Sequence, residues 1–166
     1  MTDFKLTKHL SDVPSELLQQ ALDDLEKVEA DPRYIVDMCR WHQPLEDQRC
    51  AVCLAGAVLA GSGLSYTIDW RHIEFNVNIE RKLGVIDSLR TGDARSAICS
   101  LHHASAPGSM LRTKYGDGDS IYASFDNVFE QLPQGLDRAV TPYSDNPAKW
   151  RAEMVQLVAD LRANGL

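Results

Sequence analysis

The chain lacks the apolar length, the basic stripe and the motifs that would assign it to a membrane, a nucleic acid or a common enzyme class. Its apolar run, residues 50–60, is far shorter than the ~20 residues of a membrane span and has charges just before it, so no span is expected. The N-terminus, MTDFKLTKHLSD, has no apolar signal region, which points to the cytoplasm. No phosphate-binding glycine loop, HExxH pair or GxSxG elbow occurs. The segment Tyr115-Gly-Asp117-Gly-Asp119-Ser120 carries two carboxylates but lacks the twelve-residue calcium pattern and its closing glutamate, so it reads as a turn. Cysteine is sparse: four residues, at 39, 50, 53 and 99, fit free thiols in a reducing compartment better than a disulfide framework.

What is present is the composition of an ordinary globular protein. The 166 residues have the length of one domain, 1–166, and the contents of 44% hydrophobic and 25% charged residues are typical of soluble chains. The formal net charge of −7 is unevenly placed. Between residues 11 and 31, Asp12, Glu16, Asp23, Asp24, Glu26, Glu29 and Asp31 stand against Lys27 alone, seven charges against one. A duplex-binding protein usually shows the opposite sign, so direct nucleic-acid binding is not expected. The commoner meaning of such a face is solvation; the sharper one is a surface, centred on Asp23, Asp24, Glu26 and Glu29, that meets a basic partner protein.

Residues 41–63, WHQPLEDQRCAVCLAGAVLAGSG, organise the rest. Every residue from 50 to 60 is apolar or small, so a helix through them leaves no face for water and must be enclosed by others. Pro44 suits the first helical position, Glu46 and Asp47 complement the positive end of the helix dipole, and Gly61-Ser62-Gly63 supplies a stop. Upstream, Ser11 is a candidate N-cap for an amphipathic helix whose Leu18, Ala21, Leu22, Leu25 and Val28 share one side up to Asp31-Pro32. RYIVDM (33–38) and LSYTIDW (64–70) read as strands that pair in a two-stranded ribbon.

Downstream, Asn78 opens a helix with Ile79, Leu83, Ile86 and Leu89 inward, and Asp93 opens a second with Ala97, Ile98 and Leu101 inward. Residues 104–120 are dominated by turn formers and read as a loop. Phe125, Val128, Phe129 and Leu132 mark a helix over 121–132, and Asn146-Pro147 starts a last one with Trp150, Met154, Leu157, Val158 and Leu161 in its core stripe. The expected fold class is mainly α: a single-domain bundle of five or six helices around the buried central helix, with one short two-stranded ribbon.

Three dyads carry candidate chemistry: Cys39-x-x-His42, Cys50-x-x-Cys53 and Cys99-x-x-His102. Two such pairs brought together would supply four ligands for tetrahedral zinc. Against that, Cys53 leads straight into an apolar run, where a free cysteine commonly serves as a small hydrophobe. Cys50 or Cys53 as a nucleophile, with His42, His102 or His103 as base, is a second reading. Glu46, Asp47 and the apolar surroundings would raise rather than lower the thiol pKa, and no oxyanion element adjoins either cysteine. Trp41-His42 has a plainer role, the indole sealing a core and the imidazole bonding to a backbone group. No cofactor is expected, and the balance leans away from an enzyme.

Trp41-His42-x-Pro44, then Cys50-x-Val52-Cys53-Leu54-Ala55-Gly56-Ala57-Val58, then Lys82-Leu83 through Leu89-Arg90-x-Gly92 resembles a group of small uncharacterised proteins of tailed bacteriophages and prophages. The resemblance covers roughly residues 31–97. It implies an origin, an accessory phage product in the cytoplasm of the bacterial host, and no activity or catalytic residue. The function it suggests is binding to a host protein, a nucleic-acid-handling or defence complex included, to inhibit or modulate it. A small Cys/His-dependent enzyme or zinc protein, and a virion or assembly component, are the alternatives.

Overall fold

The computed structural model describes residues 4–117 and 121–166, with side chains in the second stretch described from residue 125 on. The chain is mainly α-helical with one small mixed sheet, and it forms two compact units, Met1–His9 with Gln19–Asn76 and Leu10–Leu18 with Val77–Leu166.

Helix α1 (Pro14–Glu29) buries Leu17, Leu18, Ala21, Leu22, Leu25 and Val28, the stripe expected from helical spacing. Its start differs slightly from expectation. The Val13 carbonyl accepts the first bond, from Leu17 N at 2.9 Å, while Ser11 shapes the preceding turn by accepting from Val13 N at 3.0 Å.

In the first unit, strands β1 (Tyr34–Val36), β2 (His42–Pro44) and β3 (Cys50–Val52) form a sheet of order β1-β3-β2. The central strand β3 runs parallel to β1, with Tyr34 opposite Cys50, and antiparallel to β2, with His42 opposite Val52. All three β3 residues are buried, which is why this strand is apolar on both faces. Helix α2 (Leu54–Gly61) follows directly, with Leu54 through Leu59 buried.

Two expectations are corrected here. The buried helix does not start at Pro44: residues 44–53 close β2, turn and form β3, and the helix begins only at Leu54. An apolar run this short has no periodicity to separate strand from helix. Asp47 settles the turn instead of facing a helix end, accepting from Arg49 N at 3.1 Å and from Arg49 Nε at 2.8 Å. Helix α2 packs against β2 and β3, and its last residue, Gly61, lies against the carboxyl group of Asp24 on α1.

The second correction concerns the ribbon. RYIVDM does contain a strand, but its partner is β3, and residues 64–70 are not a strand. Ile68 N bonds back to Ser65 O at 3.0 Å, and Asp69 caps a 3₁₀ turn (Trp70–His72) by accepting from Arg71 N at 3.0 Å. Short polar side chains at 65 and 69 bond to their own backbone and outcompete a ladder.

The second unit holds α3 (Val77–Leu89), α4 (Ala94–Ala104), α5 (Met110–Tyr115), α6 (Ile121–Gln131), a 3₁₀ turn (Gln134–Leu136) and α7 (Pro147–Ala163). Helix α4 packs against both α3 and α6. Gly92 makes the tight α3–α4 turn at φ +85°, and a Cβ there would lie 2.1 Å from Arg138 O, so both conformation and space exclude a side chain.

Asp93 precedes α4 as expected but makes no side-chain cap; Asp137 takes that role, accepting from Arg95 N at 2.9 Å. Part of the expected loop 104–120 is the helix α5, capped by Ser109, and the Tyr115–Ser120 turn motif runs on into residues 118–120, outside the described residues. Asn146 caps α7 through Lys149 N at 3.0 Å, and Trp150, Met154, Leu157, Val158 and Leu161 are buried as their spacing predicts. Among the described residues no helix is long and apolar enough to cross a membrane.

Candidate functional site

The sheet brings together one of the expected cysteine–histidine combinations. Cys50 lies opposite Pro44 and Val52 opposite His42, so Cys50 and His42 are diagonal neighbours on one face of the antiparallel pair. Cys50 Sγ stands 3.4 Å from His42 Nδ1 and 3.8 Å from Nε2. His42 Nδ1 is also 2.8 Å from the Ile68 carbonyl oxygen, which only accepts, so Nδ1 carries the proton and donates it there. The imidazole thus bonds to a backbone group, as its place in the sequence suggested.

Both residues are fully buried. Burial pushes the His42 pKa below its ordinary 6.5 and the Cys50 thiol up to about 12. The pair is therefore a neutral thiol beside a neutral imidazole, with no thiolate to attack and no surface at which a substrate meets it. Cys50 as a nucleophile with His42 as its base would need a route for substrate into this buried pair.

The remaining thiols are dispersed. Cys53 is buried at the N-cap position of α2 and makes no side-chain cap there. Cys39 is exposed in the turn after β1. Cys99, on α4, is buried and donates weakly to Phe125 O at 3.6 Å, and burial pushes its pKa up to about 12 as well. His102 points away from chemistry, its Nε2 donating to Gly116 O at 2.7 Å, with the His103 ring edge-on at 5.7 Å. Among the described residues no three His, Cys, Asp or Glu side chains gather where they could hold a metal ion. Of the candidate zinc ligands Cys39, His42, Cys50, Cys53, Cys99 and His102, the structure brings Cys50 and His42 together, and no third such side chain joins them among the described residues.

The acidic face divides into two kinds of carboxylate. Asp24 is fully buried, with Lys8 Nζ at 2.5 Å and Lys27 Nζ at 3.2 Å, and its carboxyl group lies where a side chain on Gly61 would stand. It holds the N-terminal segment to α1 and is closed to a partner, which corrects its place in the expected binding set. Asp23, Glu26 and Glu29 are exposed, and Asp23 accepts from Gln19 Nε2 at 2.9 Å.

One feature had no sequence signal. A cavity of about 260 Å³ lies against the β2–β3 turn, lined by Pro44, Leu45, Gln48, Arg49, Tyr66 and Thr67. It joins two stretches far apart in the chain, and glutamine and arginine are not residues that mark a turn. No family model matches the chain, and no curated protein or solved structure does.

Proposed function

We propose that this chain is a non-enzymatic binding protein, a phage-encoded accessory product that inhibits or modulates a host protein by presenting the acidic face of α1. The phage origin rests on the resemblance of residues 31–97. The carrying observation is the arrangement of charge on α1. Asp23, Glu26 and Glu29 face solvent, while the ammonium of Lys27, the cation nearest in sequence, is turned onto the buried Asp24. A row of carboxylates so placed complements a groove whose lysines and arginines hold phosphates, the surface of a nucleic-acid-handling or defence complex. The burial of the Cys50–His42 pair supports binding over catalysis, because chemistry at that pair would need a substrate inside the sheet.

The test is capture from bacterial lysate followed by affinity measurement on the identified partner. Binding should weaken at least tenfold between low and moderate salt, and again on reversing Asp23, Glu26 and Glu29 to lysine. A partner bound equally well by the triple reversal would remove this reading.

A further inference from the structure

The β2–β3 turn holds the exposed Gln48 at the edge of an open depression in the surface, in a backbone conformation that its residue type rarely adopts. Leu45 N bonds to Arg49 O at 2.8 Å and Gln48 N to Leu45 O at 3.2 Å, a tight turn followed by a residue in the left-handed region. That residue is Gln48, at φ +68°, the one non-glycine with positive φ among the described residues. This position of a hairpin favours glycine or asparagine, which adopt the conformation at little cost. An unbranched amide side chain held there against its backbone preference, and lining a cavity, is the kind of local strain that accompanies ligand contact.

The other walls are pre-set. Asp47 takes Arg49 Nε at 2.8 Å and Nη2 at 2.7 Å, which pins the guanidinium and leaves Nη1 to donate elsewhere. Tyr66 is backed by the Arg33 guanidinium, 5.3 Å from its ring centroid, and Arg33 does not line the cavity. Pro44 and Leu45 supply apolar wall, and the Thr67 hydroxyl is 2.9 Å from that of Ser65. An aromatic ring, a primary amide, a pinned donor and an aliphatic wall around about 260 Å³ match one planar ring with adjacent N–H and C=O groups.

We infer that the cavity between the β2–β3 turn and Tyr66 binds a nucleobase-like heterocycle, its ring on Tyr66, its amide edge on Gln48 and a carbonyl on Arg49. Because Asp47 offsets the charge of Arg49, the ligand is the neutral base or nucleoside, and added phosphates contribute nothing.

The experiment titrates the full chain with uridine and with guanosine, following backbone amide shifts by NMR, with toluene-saturated buffer and uridine monophosphate as comparison arms. The expected result is saturable shifts at residues 44–49 and 66–67 for a nucleoside, in the millimolar range, with the monophosphate no tighter. Gln48→Gly should weaken binding about fivefold to tenfold while raising the unfolding midpoint, because the turn is relieved as the contact is lost. Tyr66→Ala should abolish the shifts. No saturation by either nucleoside, equal shifts with toluene, tighter binding of the monophosphate, or unchanged affinity in Gln48→Gly would each overturn the inference. None of these outcomes bears on the acidic face of α1, so the two readings fail separately.

Discussion

The carbonyl oxygen of Trp41 occupies the place where a side chain on Gly56 would begin, 1.3 Å from an ideal Cβ. The first turn of α2 therefore lies directly on the backbone entering β2, and the contact sets the distance between helix and strand. Trp41 is fixed by it, and its ring meets that of Trp70 with centroids 4.9 Å apart.

Gly56→Ala should thus destabilise the first unit by about 3 kcal/mol, the upper range for overpacking a rigid backbone contact. Denaturant midpoints report it directly. Gly84→Ala is the internal control, since a Cβ there meets nothing within 4 Å, and a mid-helix alanine should stabilise by up to about 1 kcal/mol. Equal effects at the two glycines would refute the close approach.

The acidic helix offers a second test, because neighbouring carboxylates have opposite fates. Asp24→Ala removes the one fully buried carboxylate between Lys8 and Lys27, and should cost about 2 kcal/mol, less than a wholly buried pair because both lysines can return to water. Asp23→Ala, Glu26→Ala and Glu29→Ala should each stay within about 0.5 kcal/mol. Thermal or urea denaturation of the four variants side by side decides it; a flat series would mean that Asp24 is as solvated as its neighbours.

The thiols should separate in the same clear way. At pH 8, groups pushed up to about 12 are ionised to roughly one part in ten thousand, so Cys50 and Cys99 are slow on chemical grounds as well as by burial. Under native conditions a disulfide reagent should titrate one fast equivalent, Cys39, and four after denaturation. A second fast equivalent would place a reactive cysteine at the surface and reopen the enzyme reading.

How much of this was legible follows from which interactions are local. The stripes of α1 and α7, and the Asn146-Pro147 start, depend on spacing within one helix, and they stand where spacing places them. The error at residues 44–53 arose because Pro44, Glu46 and Asp47 satisfy helix-start rules equally well as residues of a strand end and a turn. The deciding contact, β3 paired with both β1 and β2, is made between strands of three residues each, and no periodicity within one segment reveals such a pairing. The burial of Asp24 was hidden for the same reason: it depends on Lys8 and Gly61, neither of which composition links to it. The pairing of Cys50 with His42 was foreseen as residue types, but its neutrality required the sheet.

His42 makes the pH dependence of the first unit predictable in sign. Its neighbours are the Cys50 thiol, the Ile68 carbonyl, the Tyr34 ring edge-on at 6.1 Å and the Asp69 carboxylate, which is drawn away by Arg71 at 2.5 Å. Burial disfavours the imidazolium, so the folded pKa lies below the unfolded 6.5. Above pH 6.5 the residue is neutral in both states and its contribution is constant. As pH falls through that value the unfolded chain takes up a proton that the folded chain refuses, so stability is lost, by up to about 1.4 kcal/mol per pH unit, until the folded pKa is reached. Urea midpoints should accordingly be level from pH 8 to 7 and fall from 6.5 to 5. In His42→Gln, which keeps a donor for Ile68, that fall should shrink although the variant is less stable throughout. A wild-type curve flat across this window would show that the imidazole reaches water, and would undo the argument that the Cys50–His42 pair is closed to chemistry.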